Sequence, residues 1–152
     1  MHKIIPISSQ AKALESYFPM SKISRIDFNH IRWEGELQPN PNSYKYRIAL
    51  EHVYGDEPKV FVLKPNILKR PQGISKLPHV YSTKQQQLCL YCPNGKEWNA
   101  SKYFVHTIIP WASEWLFHYE IWYATNGIWT GGGVVHENEA EAVYQEFQRQ
   151  QA

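Results

Sequence analysis

An α+β fold, an antiparallel meander sheet with helices packed on one face, is what the sequence predicts, and three observations carry it. Two stretches in the first half alternate apolar and polar residues with period two, as half-buried strands do. Clusters of turn-forming residues separate the strands, which makes neighbours antiparallel. An aromatic stretch in the second half recurs instead at helical spacing.

Taken in order, residues 10–18 form a short first helix, ended by Pro19 because proline lacks the donor a continuing helix needs. Residues 25–37 read as one strand, with Ile31, Trp33 and Leu37 alternating with polar positions, and Pro39-Asn40-Pro41-Asn42 supplies the turn after it. Residues 43–53 read as a second strand, with Tyr44, Tyr46, Ile48 and Leu50 on one face and Lys45, Arg47 and Glu51 on the other. Tyr54-Gly55-Asp56-Glu57-Pro58 precedes a third strand at 59–63. From 64 to 87 the chain turns to Pro, Gly, Ser and Gln with little periodicity, a long irregular segment of the kind that often carries function.

Beyond Trp98, Asn99 or Ser101 can cap a helical stretch, and Pro110 is tolerated in the first turn of a stronger helix reaching about Ala124. Ile108, Ala112, Trp115, Tyr119 and Trp122 share one face of it, a stripe better suited to core than to a ligand box. Asn126-Gly127 and Gly131-Gly132-Gly133 then break the chain. A last helix is expected near 137–149, with Ala140, Val143, Tyr144 and Phe147 on one face and acidic residues in its first turn. No internal repeat or linker divides these elements, so residues 1–152 are expected to form a single domain.

Composition narrows the function classes. The chain has 152 residues, 43% hydrophobic and 14% aromatic, enough for one sizeable aromatic core. Sixteen Lys and Arg against fourteen Asp and Glu leave +2, too little for a dedicated nucleic-acid binder held by phosphate contacts. No run approaches the roughly 20 apolar residues that cross a bilayer, and Pro6 interrupts the N-terminus too early for a secretory signal. A cytoplasmic protein without membrane or cofactor is therefore expected. Cys89 and Cys92 are the only cysteines, which is no disulfide framework and fits a reducing compartment.

Charge is unevenly distributed. No Asp or Glu lies between Glu57 and Glu97, whereas Lys59, Lys64, Lys69, Arg70, Lys76, Lys84 and Lys96 do. Such asymmetry marks either a solvated face or a surface that docks an acidic partner.

The segment before Cys89 carries the chemistry. His79 precedes Cys89 by ten residues, and Leu88-Cys89-Leu90 sets the thiol between apolar neighbours. Trp98-Asn99 follows shortly after, and Tyr54-Gly55-Asp56-Glu57-Pro58-Lys59-Val60 stands upstream. This order and spacing resemble the ubiquitin-conjugating enzymes, which place a His-Pro-Asn tripeptide ten residues before an Ile-Cys-Leu catalytic cysteine, follow it with Trp and Ser or Asn, and enter their third strand through a tyrosine-proline turn. The resemblance spans roughly residues 25–124 and implies a ubiquitin-conjugating-type fold, with Cys89 as a thioester-forming nucleophile and His79 beside it. The family's Pro and Asn are replaced by Val80 and Tyr81. That Asn is credited with steadying the oxyanion during aminolysis, so the resemblance leaves the role to the Tyr81 hydroxyl or to a backbone donor. Gln85-Gln86-Gln87 stands where the family has an Asn-Gly turn.

Downstream, Trp111-Ala112-Ser113-Glu114-Trp115-Leu116, Tyr119-Glu120-Ile121-Trp122 and Gly127-Ile128-Trp129 resemble the stand-alone E2-type proteins of bacterial cyclic-oligonucleotide anti-phage (CBASS) systems. The implied partner is a cGAS-like nucleotidyltransferase (CD-NTase), whose C-terminus would be carried on Cys89.

From the residues alone, several readings of the cysteines stay open. A thiolate is nucleophilic and its thioester stays reactive toward amines, and the absence of acids from Lys59 to Lys96 would favour thiolate. A free cysteine is also among the most buried residue types. Cys89-Leu90-Tyr91-Cys92 has the spacing of half a zinc site or of a redox pair, but no second Cys pair exists, and His79, His106, His118 and His136 form no standard ligand spacing. No metal is expected. A conjugating-fold module that only binds is the remaining alternative.

Overall fold

A computed structural model describes residues 3–131. It is α+β, with a sheet of β1 (Lys22–Asp27), β2 (His30–Leu37), β3 (Tyr46–Val53), β4 (Lys59–Lys64), β5 (Val80–Ser82) and β6 (Gln87–Leu88). Helix α1 (Ile7–Tyr17) precedes the sheet, and a short 3₁₀ turn (Phe104–His106) leads into α2 (Ile108–Ala124). All strand pairs are antiparallel, and the order β1-β2-β3-β4-β6-β5 is a meander closed by a small hairpin.

The two-residue periodicity settles which face is buried. Trp33 pairs with Leu50 and Leu37 with Tyr46 across β2 and β3, and Leu50 pairs with Val60 across β3 and β4. All of these are buried. Side chains one position over form the other face, where Arg32 donates to Glu51 at 2.7 Å and Arg47 reaches Glu34 at 3.3 Å. Ile7, Ala11 and Leu14 of α1 join the core, as do Ile108, Ala112, Trp115, Tyr119 and Trp122 of α2. Trp115 and Tyr119 stack with ring planes 4° apart, so the aromatic stripe is core, as its spacing requires.

Several boundaries differ from the sequence reading. The strand expected at 25–37 is a hairpin, because Asp27 Oδ1 accepts the Asn29 N–H at 3.1 Å and reverses the chain. Tyr44 lies before β3 and is 54% exposed, with its ring edge-on to Tyr46. The first helix begins at Ile7, behind Pro6. Neither Asn99 nor Ser101 caps a helix: Asn99 Oδ1 accepts the Ser101 N–H at 3.0 Å within a turn, and Tyr103 and Thr107 stand at the N-caps of the 3₁₀ turn and of α2. Pro110 sits in the first turn of α2, where a missing N–H costs nothing. The helix expected at 137–149 lies outside the described residues.

Gly35 shows how tightly the core is closed. A Cβ there would fall inside the Trp33 indole, which folds over the strand to donate to Ser21 Oγ at 2.8 Å.

Candidate functional site

The irregular segment ends in the β5–β6 hairpin, and this places the chemistry. Val80 pairs with Leu88 and Ser82 with Gln87, with a bulge at Tyr81. Continuing the ladder one step outward, the Cys89 N–H donates to the His79 carbonyl at 3.0 Å. Residues ten apart in sequence are thereby brought side by side. His79 adopts a left-handed φ of 47°, which costs a non-glycine residue energy and persists only where neighbours fix it. They do so here, since the same carbonyl accepts the Trp115 indole N–H at 3.1 Å and the ring lies 5.1 Å from Trp129.

Gln86 holds the hairpin to the sheet, a role the sequence did not reveal. It too is left-handed, with φ of 53°, where the family's glycine is missing. Its buried amide repays the strain by donating to Val62 O at 3.0 Å and Pro65 O at 3.1 Å and accepting the Leu68 N–H at 2.5 Å.

Cys89 itself is buried, 5% exposed, with Sγ 4.0 Å from the Tyr91 carbonyl oxygen. Cys92 is less buried, and its N–H donates to Glu97 Oε2 at 3.2 Å in the turn that follows. Among the described residues no group of His, Cys, Asp and Glu could hold a metal ion.

Beside Cys89 runs a groove of about 370 Å³, walled by Leu88, Leu90, Tyr91, Tyr81, Val60 and Ile108, with Asp56 and Glu57 at one side. Tyr81 is 58% exposed on this wall. Cys89 is not part of the lining, although both its chain neighbours are. The acid-free stretch of sequence is thus not acid-free in space: the β3–β4 turn brings its carboxylates against the segment. Tyr91 donates to Glu57 Oε2 at 2.6 Å. Burial, reinforced by that hydrogen bond and by the Glu57 charge, pushes the Tyr91 hydroxyl far above the ordinary tyrosine range. A tyrosine two residues past the cysteine and an acid in a turn some thirty positions upstream carry no periodic signal, so this pair was invisible in the sequence.

The α+β sheet, with a short hairpin that sets Cys89 beside His79, is consistent with the ubiquitin-conjugating class, and the family match assigns it. Residues 10–137 match the family model of the type II CBASS E2 protein, and the chain belongs to that family. Its role therefore lies in CBASS anti-phage defence, a system that supplies it with a protein partner. No curated protein matches the chain. Among the described residues, no helix is long and apolar enough to cross a membrane.

Proposed function

We propose that Cys89 carries the C-terminus of the system's CD-NTase as a thioester, in the reducing cytoplasm. The observation that supports this reading is the Cys89 N–H to His79 carbonyl bond, which brings side by side the two residues whose ten-residue spacing resembles that of the conjugating enzymes. The thiolate attacks an activated carboxyl carbon, and the activating group leaves with its electron pair. An acceptor nucleophile then takes the acyl group and releases the thiolate. His79 frames the site through its backbone. Tyr81, exposed on the groove wall, presents a hydroxyl that can donate to the oxyanion in place of the family's Asn. Leu88 and Leu90, the chain neighbours of Cys89, line the groove while the thiol itself is buried beside it, so the acyl transfer requires the Leu88–Leu90 segment to shift and expose Sγ.

One observation favours a second reading. At 5% exposure, Cys89 has the burial of a structural cysteine, as a module that only binds would have. Co-expression with the CD-NTase of the same system separates the two. An adduct should form that thiol reductant cleaves; Cys89→Ala should abolish it and Cys92→Ala should leave it. An adduct that survives Cys89→Ala gives the binding module its place.

A further inference from the structure

Trp129 lies beyond the last described helix and outside the His-to-Cys segment, yet it returns to the site. The chain reverses at Gly127, whose φ of 108° suits glycine and whose N–H donates to Trp122 O at 2.8 Å. A Cβ at Gly127 would stand 2.6 Å from Ile74 Cδ1, so the turn is seated directly on the irregular segment. A hydrogen bond between His118 Nδ1 and Thr130 Oγ1 then ties the returning chain to α2. The result lays the Trp129 ring 5.1 Å from His79, 5.9 Å from Trp115 and 5.9 Å from His118.

Two features show that this placement is held at a cost. The Trp129 Nε1 is buried with no hydrogen-bond partner among the described residues. The peptide it covers, His79, is itself in a left-handed conformation. The ring contact is tilted by 33° at 5.1 Å, so the indole packs against one side of the imidazole.

We propose that Trp129 is a positioning residue for Cys89: it touches no reacting atom, but by packing on His79 it keeps the left-handed turn whose carbonyl fixes the Cys89 backbone. The chain beyond α2 thereby becomes part of the site. This rests on the thioester reading, and the test carries one arm that does not.

In a Cys92→Ala background, Trp129→Ala, Trp129→Leu and Trp129→Phe are compared by two measurements on the full chain. The first is the rate of reductant-sensitive adduct formation on co-expression with the CD-NTase. The second is the rate of Cys89 alkylation by iodoacetamide, with no partner present. Misplacing a nucleophile by about an ångström slows its reaction by roughly ten- to a hundred-fold, so Ala and Leu should slow adduct formation by that order. The same loosening should speed alkylation of the buried thiol, and Phe, which keeps a planar ring, should restore both rates. Leu retains apolar bulk, so it decides the matter if Ala does not fold. If the chain with Trp129 intact forms no adduct, the thioester reading fails while alkylation still tests the positioning. Alkylation of the folded Leu variant at the unaltered rate, or adduct formation as fast as with Trp129, overturns the proposal.

Discussion

The Cys89 N–H and the His79 carbonyl are 3.0 Å apart, and that carbonyl also accepts the Trp115 indole N–H at 3.1 Å. One peptide oxygen thus joins the cysteine to the central helix of the core. Stability and site geometry are coupled at this point, and substitutions on α2 should register at Cys89.

Trp115→Ala should destabilise by about 3–5 kcal/mol, the cost of truncating a buried aromatic. Trp115→Phe keeps most of the stack on Tyr119 but loses the bond to His79, so about 1 kcal/mol is expected. Urea unfolding monitored by circular dichroism measures both. An unchanged midpoint for the Ala variant would mean that Trp115 does not support the core.

Gly35→Ala should cost about 1–3 kcal/mol, because the added methyl must displace the fully buried Trp33 ring. Near-UV circular dichroism should change along with the melting temperature, since the indole loses its fixed setting. A neutral substitution would show that the ring can move aside.

Alkaline pH should unfold the protein through its buried tyrosines. Burial, with Glu120 adding to it for Tyr46 and Glu57 for Tyr91, raises both hydroxyls far above the ordinary range, and burial pushes Tyr119 up to about 12. Above about pH 10 the unfolded chain loses protons that the folded chain keeps, so stability is full below that pH and falls as pH rises. Each such tyrosine adds up to about 1.4 kcal/mol per pH unit to the slope. Tyr91→Phe should flatten the fall in urea midpoint between pH 10 and 11.

At the acid end, His52 should matter. Burial lowers its pKa, against the opposing bond to the Asp56 carbonyl, and the imidazole sits edge-on to Trp98 and Phe104. Below about pH 6.5 the unfolded chain binds a proton that the folded chain resists, so stability present above that pH declines as pH falls toward the folded value. His52→Gln, which cannot be protonated, should remove that part of the pH dependence of the melting temperature.

What could be read in the sequence was whatever repeats or keeps a fixed offset. Ile31, Trp33 and Leu37, and Tyr46, Ile48 and Leu50, declared the buried face because side chains alternate along a strand. The stripe from Ile108 to Trp122 declared the helix for the same geometrical reason. The ten-residue offset from His79 to Cys89, through its resemblance to the conjugating enzymes, marked the candidate site, and the two residues do lie side by side. The β1–β2 turn was spelled by Asp27 and Asn29 but hidden inside an otherwise continuous strand pattern. Strands β5 and β6 are too short to show any period.

The sequence by itself therefore determined the α+β architecture and the inward faces, because these follow from local periodicity, while Cys89 was singled out by its resemblance to the conjugating enzymes' motif. Only the tertiary structure decided that Gln86 clamps the hairpin, that Glu57 meets Tyr91, that Cys89 lies buried beside a groove, and that Trp129 comes back to cover His79. Each of these joins residues from separate elements through single contacts, and a contact between distant segments leaves no pattern along the chain until the sheet and helix have packed.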